Sequence, residues 1–126
     1  MFHFDIISFE EVISQSDILT LHIPAQEGYV IGAREMEKMK DGAMLINTAR
    51  GGVMDEEALL EALDAGKLRG AALDVFEKEP FPSIKLLMEE KLSLSPHLAG
   101  STEEAQERIG IELAEQITAF YKKATV

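Results

Sequence analysis

Short apolar runs alternate with amphipathic segments along most of this sequence. The runs ILTLHI, AMLINT and GAALDVF are separated by stretches such as DEEALLEALDAG, in which apolar residues recur at helical spacing. Strands joined through helices pair in parallel, because each helix returns the chain to the end of the sheet where the previous strand began. The alternation therefore predicts an α/β fold with a parallel sheet of about four strands, helices on both faces and a long C-terminal helix.

Proline, glycine and capping residues mark where the predicted elements begin and end. Pro24 removes a ladder donor and ends a strand. Asp55 can cap the start of a helix, and Gly66 can supply its exit. We predict helices over residues 9–17, 33–40, 55–66 and from 101 onward, and strands over residues 18–23, 43–48, 70–76 and 91–96.

The last predicted helix carries two further signals. Ser101 and Glu104 form a capping-box pattern, in which each side chain satisfies a free backbone amide of the other residue. An apolar stripe runs along the helix and is expected to pack over its whole length. The stripe consists of Ile109, Leu113, Ile117 and Phe120.

The composition excludes several classes of protein. With 126 residues the chain is long enough to bury a hydrophobic core, and the expected organisation is a single domain. The net charge of −11 argues against a nucleic acid partner, which needs clustered Lys and Arg. No apolar stretch is long enough to suggest a membrane partner. The absence of cysteine rules out disulfides and fits a reducing compartment, so we expect a cytoplasmic location.

Polar or ionisable residues follow every predicted strand. In an open parallel sheet, ligands bind beyond the carboxyl ends of the strands, which meet at one edge. Thr48 could donate to a ligand there or bond locally, and His22 could line the floor of a pocket. The segments expected at this edge are 22–24, 48–52, 74–80 and 96–100.

Arg50 and His97 have the most distinctive chemistry among these residues. Arg50 ends the apolar run in LINTARGG, and its planar guanidinium can bind a carboxylate through two parallel hydrogen bonds. A surface salt bridge is the alternative. His97 can give or take a proton near neutral pH, although a lone histidine is more often an ordinary surface or core residue. The residue types alone leave these alternatives open.

Acidic residues follow the third predicted strand. A carboxylate beside an imidazole raises the imidazole pKa and orients the ring, which either Glu79 or Glu77 could do for His97. Solvation in a charged turn is the alternative for both glutamates. Asp74 could accept a hydrogen bond from a ligand amide or hydroxyl, or it could cap a neighbouring turn.

Two long segments resemble a known family. LINTARGGVMDEEALLEALDAGKLRGAALDVFEKEP, followed by LSPHLAGST, is similar to the nicotinamide-binding domain of the D-isomer-specific 2-hydroxyacid dehydrogenases. The similarity extends over residues 9 to 120, nearly the whole chain. The tail STEEAQERIGIELAEQI resembles the D-3-phosphoglycerate dehydrogenases within that family. The ordered combination of motifs is far more specific than any one of them.

The resemblance implies hydride transfer between NAD and C2 of a small 2-hydroxy or 2-oxo acid. The catalytic arginine of the family falls on Arg50, which would hold the substrate carboxylate and polarise the carbonyl. Its glutamate falls on Glu79 rather than Glu77, and its histidine falls on His97, the general acid/base for the C2 oxygen. The implied cofactor-binding residues are His22, Ile23, Pro24, Thr48, Ala49, Arg50, Asp74, His97, Ala99 and Gly100.

The sequence also departs from the family pattern. It contains no G-x-G-x-x-G and no complete P-loop, and its histidines lack metal-ligand spacing, so no metal site is expected. No counterpart of the separate substrate domain is present. We interpret residues 1–126 as the C-terminal half of a dinucleotide-binding Rossmann domain, with a partial Rossmann-type sheet. Such a chain is expected to bind NAD weakly or not at all, and to turn over negligibly alone.

Two functions remain open at this point. The chain is either a fragment of an NAD-dependent oxidoreductase or a non-catalytic protein-interaction module derived from the same fold. Joint retention of Arg50, Glu79 and His97 favours the first, because an interaction module has no physical need for all three. Half of the parent sheet is missing, which predicts uncovered strand edge and apolar helix surface. We therefore expect self-association, as a two-fold homodimer.

Overall fold

Four short parallel strands form the centre of the fold. The computed structural model describes residues 5–124, and the chain divides after Pro96 into two compact units. The strands pair in the order β1-β2-β3-β4, and every pair is parallel. This confirms the predicted α/β fold and parallel sheet. All four strands lie in the first unit, as β1 (Ile18–Leu21), β2 (Ala43–Asn47), β3 (Leu68–Leu73) and β4 (Leu92–Leu94).

Helices precede, connect and follow the strands. The first unit contains α1 (Phe9–Gln15), α2 (Ala33–Lys38), α3 (Glu56–Asp64) and α4 (Ile84–Leu87), and the second contains α5 (Glu103–Ala124). Helix α4 was not predicted, because its four residues are too few to display a helical repeat. The strand predicted over 70–76 instead occupies residues 68–73. It stops there because its partners β2 and β4 also end at that level of the sheet.

Capping residues explain where α3 begins and ends. The Asp55 carboxylate accepts hydrogen bonds from the amides of Glu57 and Ala58, each at 3.0 Å. Gly66 follows the helix with a φ of +72°, a left-handed conformation that glycine adopts without steric cost. Both features were predicted from the sequence and are confirmed.

The start of α5 differs from the prediction by one residue. The Thr102 hydroxyl accepts from the amide of Ala105 at 3.1 Å, so Thr102 is the capping residue. The proposed pairing of Ser101 with Glu104 was wrong, because the helix begins at Glu103 rather than Thr102. The sequence offers two hydroxyl residues side by side, and either can serve as a cap.

The core lies on one face of the sheet. Buried residues of β1, β2 and β3 on that face, including Leu19, Leu45 and Leu73, belong to one cluster with buried residues of the helices. Helices α1 to α4 contact each other in sequence, as one layer. Right-handed connections between consecutive neighbouring strands place all the connecting helices on the same side. The expectation of helices on both faces is therefore wrong within residues 5–96.

The opposite face of the sheet is less well covered. Ile18 is 55% exposed, and Met44, Ile46 and Ala72 are only half-buried. Thr20 and Ser93 on the same face are exposed. Strand β1 also forms one edge of the sheet. The first unit thus presents a partly apolar sheet surface and a free strand edge.

The second unit consists of a short loop and helix α5. The apolar stripe predicted to pack along this helix is exposed, at 54% for Ile109, 55% for Leu113, 49% for Ile117 and 69% for Phe120. A single helix has no packing partner within its own unit, so packing of the stripe along its whole length stays a prediction. Among residues 5–124, no helix has both the length and the apolar character needed to cross a membrane.

Candidate active site

The carboxyl ends of the four strands lie side by side. Leu21 pairs with Asn47, Asn47 with Leu73, and Leu73 with Leu94. The chain therefore leaves each strand at the same edge of the sheet, as the sequence predicted for the first unit. The residues that follow directly are His22, Thr48, Asp74 and Ser95.

The turn after β2 presents Arg50 at this edge. Asn47 is buried, and its carboxamide oxygen accepts from the amide of Ala49 at 3.0 Å while its Nδ2 donates to the carbonyl of Arg50 at 3.1 Å. Arg50 itself is exposed, and its Nη1 donates to the carbonyl of Ala49 at 2.6 Å. Thr48 is half-buried and Ala49 is buried. The turn thus holds a permanent positive charge at the solvent side of the sheet edge.

The turn that carries Arg50 leans on the segment after β3. Gly51 lies so close to the carbonyl of Phe76 that no side chain could be accommodated there. In the same segment, the Glu79 carboxylate accepts from the amide of Phe76 at 3.0 Å. Contact through Phe76 therefore joins the loops of Arg50 and Glu79.

Glu77 and Glu79 have different partners. The carboxylate of Glu77 accepts from the amide of Glu56 at 3.2 Å, and the carboxylate of Glu56 accepts from the amide of Glu77 at 2.6 Å. Partial burial raises the pKa of Glu56; the hydrogen bond from the amide of Glu77 offsets part of this rise, and the negative charge of Glu77 adds to it. A hydrogen bond to Glu77 raises the pKa of Tyr29. Glu77 thus links the loop to the start of α3 by hydrogen bonds, whereas Glu79 forms a hydrogen bond within the loop.

Asp74 is a buried carboxylate at the end of β3. It is 4% exposed, and the hydroxyl of Ser95 donates to its Oδ1 at 2.6 Å. Its amide donates to the carbonyl of Asn47 at 3.0 Å, which extends the ladder beyond the strand. Sequence reasoning singled out Asp74 but missed Ser95. The available signal was the position of Ser95 directly after a strand, in register with the other residues of the edge.

The end of β1 contributes less to the polar edge. His22 is exposed, and its Nε2 lies 2.9 Å from the hydroxyl of Thr20, to which it is hydrogen bonded. Ile23 is half-buried and packs against the core, and Pro24 is exposed. These residues shape the border of the edge next to the turn of Arg50.

The remaining candidates lie in the second unit. His97 is exposed and has a φ of +56°, an uncommon conformation for a residue with a Cβ. Such conformations are concentrated at functional sites. Ala99 and Gly100 are exposed in the loop before α5, where the carbonyl of Gly100 accepts from Gln106 at 2.6 Å. The first unit thus groups Arg50, Glu79 and Asp74, whereas His97, Ala99 and Gly100 belong to the second.

The polar edge offers hydrogen-bonding groups of the kind that the nicotinamide end of a dinucleotide requires. A buried carboxylate such as Asp74 can accept hydrogen bonds from a carboxamide. The Ser95 hydroxyl donates to Oδ1 of Asp74 and so holds the carboxylate in place. An open parallel sheet binds such ligands at this edge. The chain has no G-x-G-x-x-G to receive the pyrophosphate, so the fit extends to only one end of the cofactor.

The sequence is similar to several known dehydrogenases and reductases. The chain is 44% identical over 120 residues to D-3-phosphoglycerate dehydrogenase of Archaeoglobus fulgidus, covering 93% of this chain and 23% of that protein. It is 44% identical over 116 residues to hydroxypyruvate reductase of Thermotoga maritima, covering 88% of this chain and 38% of that protein. The chain therefore spans well under half the length of these relatives.

A solved structure and a family model agree with these relatives. The D-lactate dehydrogenase of Aquifex aeolicus, determined with NAD and lactic acid, matches with a TM-score of 0.73 and 34% identity, over 93% of this chain and 40% of that one. Residues 2–99 match the family described as D-isomer specific 2-hydroxyacid dehydrogenase, NAD binding domain. The chain belongs to the NAD-binding domain family of the D-isomer-specific 2-hydroxyacid dehydrogenases.

Proposed function

We propose that this chain is the catalytic half of the cofactor domain in an NAD-dependent dehydrogenase that acts on D-2-hydroxy acids. The observation that carries the proposal is the family match over residues 2–99, which includes the turn of Arg50 and the loop of Glu79. In this proposal, residues 1–126 form the C-terminal half of a Rossmann domain. The complete enzyme joins this chain to a glycine-rich half and a substrate domain.

Arg50 would bind the substrate carboxylate. Its guanidinium is exposed at the carboxyl edge of the sheet, and a guanidinium matches a carboxylate with two parallel hydrogen bonds. This orients the 2-hydroxy acid and places positive charge near the C2 oxygen. The charge favours a developing negative oxygen more than a neutral hydroxyl, so it also lowers the barrier to reaction.

His97 and Glu79 would manage the proton. During oxidation of the substrate, His97 takes the proton from the C2 hydroxyl as C2 loses a hydride, and it returns that proton during reduction. The carboxylate of Glu79 would stabilise the protonated imidazole. NAD, when bound, supplies the acceptor or donor of the hydride. The resemblance of the segments around Arg50, Glu79 and His97 to the family's motifs supports these roles.

NAD would be held at its nicotinamide end by residues of this chain. We propose that Asp74 accepts from the carboxamide, and that a wider set of residues lines the remaining surface. That set is His22, Ile23, Pro24, Thr48, Ala49, Arg50, His97, Ala99 and Gly100. Because the pyrophosphate site is not in this sequence, the isolated chain should bind NAD weakly or not at all.

The finer assignments concern substrate, assembly and location. A 44% identical relative is a D-3-phosphoglycerate dehydrogenase, which makes 3-phosphoglycerate the first substrate to test. The exposed apolar residues of α5 favour self-association as a homodimer. The absence of cysteine favours a cytoplasmic location.

Two experiments test the proposed function. The first is to read the gene upstream of this segment, where an in-frame G-x-G-x-x-G is expected. The second is to follow NADH formation by the complete enzyme with matched D and L pairs of 2-hydroxy acids and with 3-phosphoglycerate. The proposal predicts turnover of D substrates and little with their L counterparts. A complete protein that turns over neither isomer would instead support the interaction module.

A further inference from the structure

Asn47 is a buried amide at the end of an otherwise apolar strand. It is 2% exposed and occupies the same face of β2 as Ala43 and Leu45, which are buried in the core. Burying a carboxamide costs free energy unless its donors and acceptor are paired. No buried side-chain nitrogen or oxygen within the described residues lacks a partner. The nitrogen and the oxygen of the Asn47 side chain therefore each have a partner.

Both ends of the Asn47 carboxamide bind the turn that follows. Its oxygen accepts from the amide of Ala49, and its nitrogen donates to the carbonyl of Arg50, at 3.0 and 3.1 Å. The main-chain carbonyl of Asn47 also accepts from the amide of Asp74 at 3.0 Å. One side chain thus bridges the peptide on each side of the Ala49–Arg50 link and ties it to the end of the sheet.

Few other side chains at position 47 could make both of these hydrogen bonds. A serine could accept from the amide two residues ahead, but its hydroxyl does not extend as far toward the carbonyl of Arg50. A leucine of similar size would make neither bond. The carbonyl of Ala49, which the bridge holds in place, also accepts from Nη1 of Arg50 at 2.6 Å. The amide of Asn47 therefore fixes both the backbone of Arg50 and the acceptor that its guanidinium uses.

We infer that Asn47 is a positioning residue for Arg50, and that its carboxamide sets the direction in which the guanidinium meets the substrate carboxylate. This inference rests on the proposed function, since it assigns Asn47 a role only through Arg50. A displacement of a binding group by about 1 Å can reduce catalysis by roughly 100-fold. Loss of the bridge should therefore reduce kcat/KM without removing any group that touches substrate.

A double-mutant cycle in the complete enzyme tests the inference. The variants are Asn47→Ala, Arg50→Ala and the two combined, assayed at saturating NAD. We expect Asn47→Ala to lower kcat/KM by about 10- to 100-fold with Arg50 present. In the Arg50→Ala background, the same change should lower kcat/KM by less than about threefold. A matched control is Leu45→Ala, which removes a fully buried side chain from the same strand. This control should lower Tm yet change kcat/KM by less than about threefold at assay temperature.

Each outcome separates the two proposals. If Arg50→Ala costs more than about tenfold and Asn47→Ala costs the same with and without Arg50, the proposed function stands and Asn47 has no positioning role. If Arg50→Ala changes kcat/KM by less than about tenfold, the proposed function fails, and the positioning role of Asn47 fails with it. Should Asn47→Ala fail to fold, Asn47→Ser replaces it. Serine keeps the acceptor for Ala49 and loses the donor to Arg50, so the same dependence on Arg50 is expected.

Discussion

Gly51 and Phe76 are in direct backbone contact. A Cβ added to Gly51 would stand 1.8 Å from the carbonyl oxygen of Phe76 and 2.4 Å from its carbonyl carbon. Both atoms belong to the main chain and cannot rotate away as a side chain could. The turn of Arg50 and the loop of Glu79 can therefore approach this closely only because residue 51 has no side chain.

Gly51→Ala should accordingly separate the two loops. Overpacking of this kind costs about 1–3 kcal/mol, so we expect a lower Tm in thermal melts. Gly110→Ala is the matched control, because a Cβ at Gly110 in helix α5 would meet nothing within 4 Å. That change should raise helix stability by up to about 1 kcal/mol. Equal effects of the two substitutions would contradict the close contact at Gly51.

The proton role of His97 predicts a specific change in pH dependence. In the complete enzyme, His97→Asn should flatten the pH profile of kcat/KM near neutrality, because asparagine cannot titrate. The measurement is a series of initial rates from pH 5 to pH 9 for both enzymes. A variant that keeps the shape of the wild-type profile would remove His97 as the general acid/base.

The raised pKa of Glu56 predicts a pH-dependent stability. Burial makes its charged form costly, so its folded pKa lies above the ordinary value of 4.5. Stability is then full below the unfolded pKa and falls as pH rises through the folded pKa. Glu56→Gln keeps an acceptor for the amide of Glu77 and removes the charge. The change in Tm caused by Glu56→Gln should therefore be more favourable at pH 7 than at pH 3.

Glu57→Gln is the control for this measurement. It removes a charge from the same first turn of α3 and shares any loss of favourable interaction with the helix dipole, but Glu57 is exposed. Its ion pair with Lys85, at 3.5 Å, is exposed on both sides and therefore contributes little to stability. The difference in Tm between the two variants should favour Glu56→Gln at pH 7 and vanish at pH 3. A constant difference at both pH values would show that burial of the Glu56 charge does not govern stability here.

The exposed stripe of α5 predicts concentration-dependent association of the chain. Leu113→Gln should shift light-scattering mass toward the monomer, since it removes apolar surface from the centre of the stripe. Glu115→Gln, on the opposite side of the same helix, should leave the association unchanged. A wild-type chain that stays strictly monomeric at high concentration would count against the homodimer.

Local signals in the sequence predicted local structure well. Asp55 and Gly66 bound α3 because a cap and a left-handed exit depend only on neighbouring residues. The parallel sheet was predicted from the alternation of strands and helices along the chain, which is also visible in the sequence. The placement of all the connecting helices on one face was missed, because it depends on strand order, which the sequence does not state.

The candidate site was only partly predictable. Arg50 and Asp74 were identified from their positions after strands, and the structure places both at the carboxyl edge. Asn47 and Ser95 were missed because their importance lies in hydrogen bonds to Arg50 and Asp74, which require the folded turn and the strand register. Asn47 did leave a trace, as a polar residue on the buried side of an alternating strand.

The kcat/KM of Arg50→Ala in the complete enzyme tests the central claim most directly. Removing a charged hydrogen bond to a carboxylate should cost several kcal/mol in transition-state binding, with Arg50→Lys intermediate because it keeps the charge and loses the fork. We predict a loss of at least about 100-fold for Arg50→Ala. A loss of less than about tenfold would contradict the assignment of Arg50 to the substrate carboxylate.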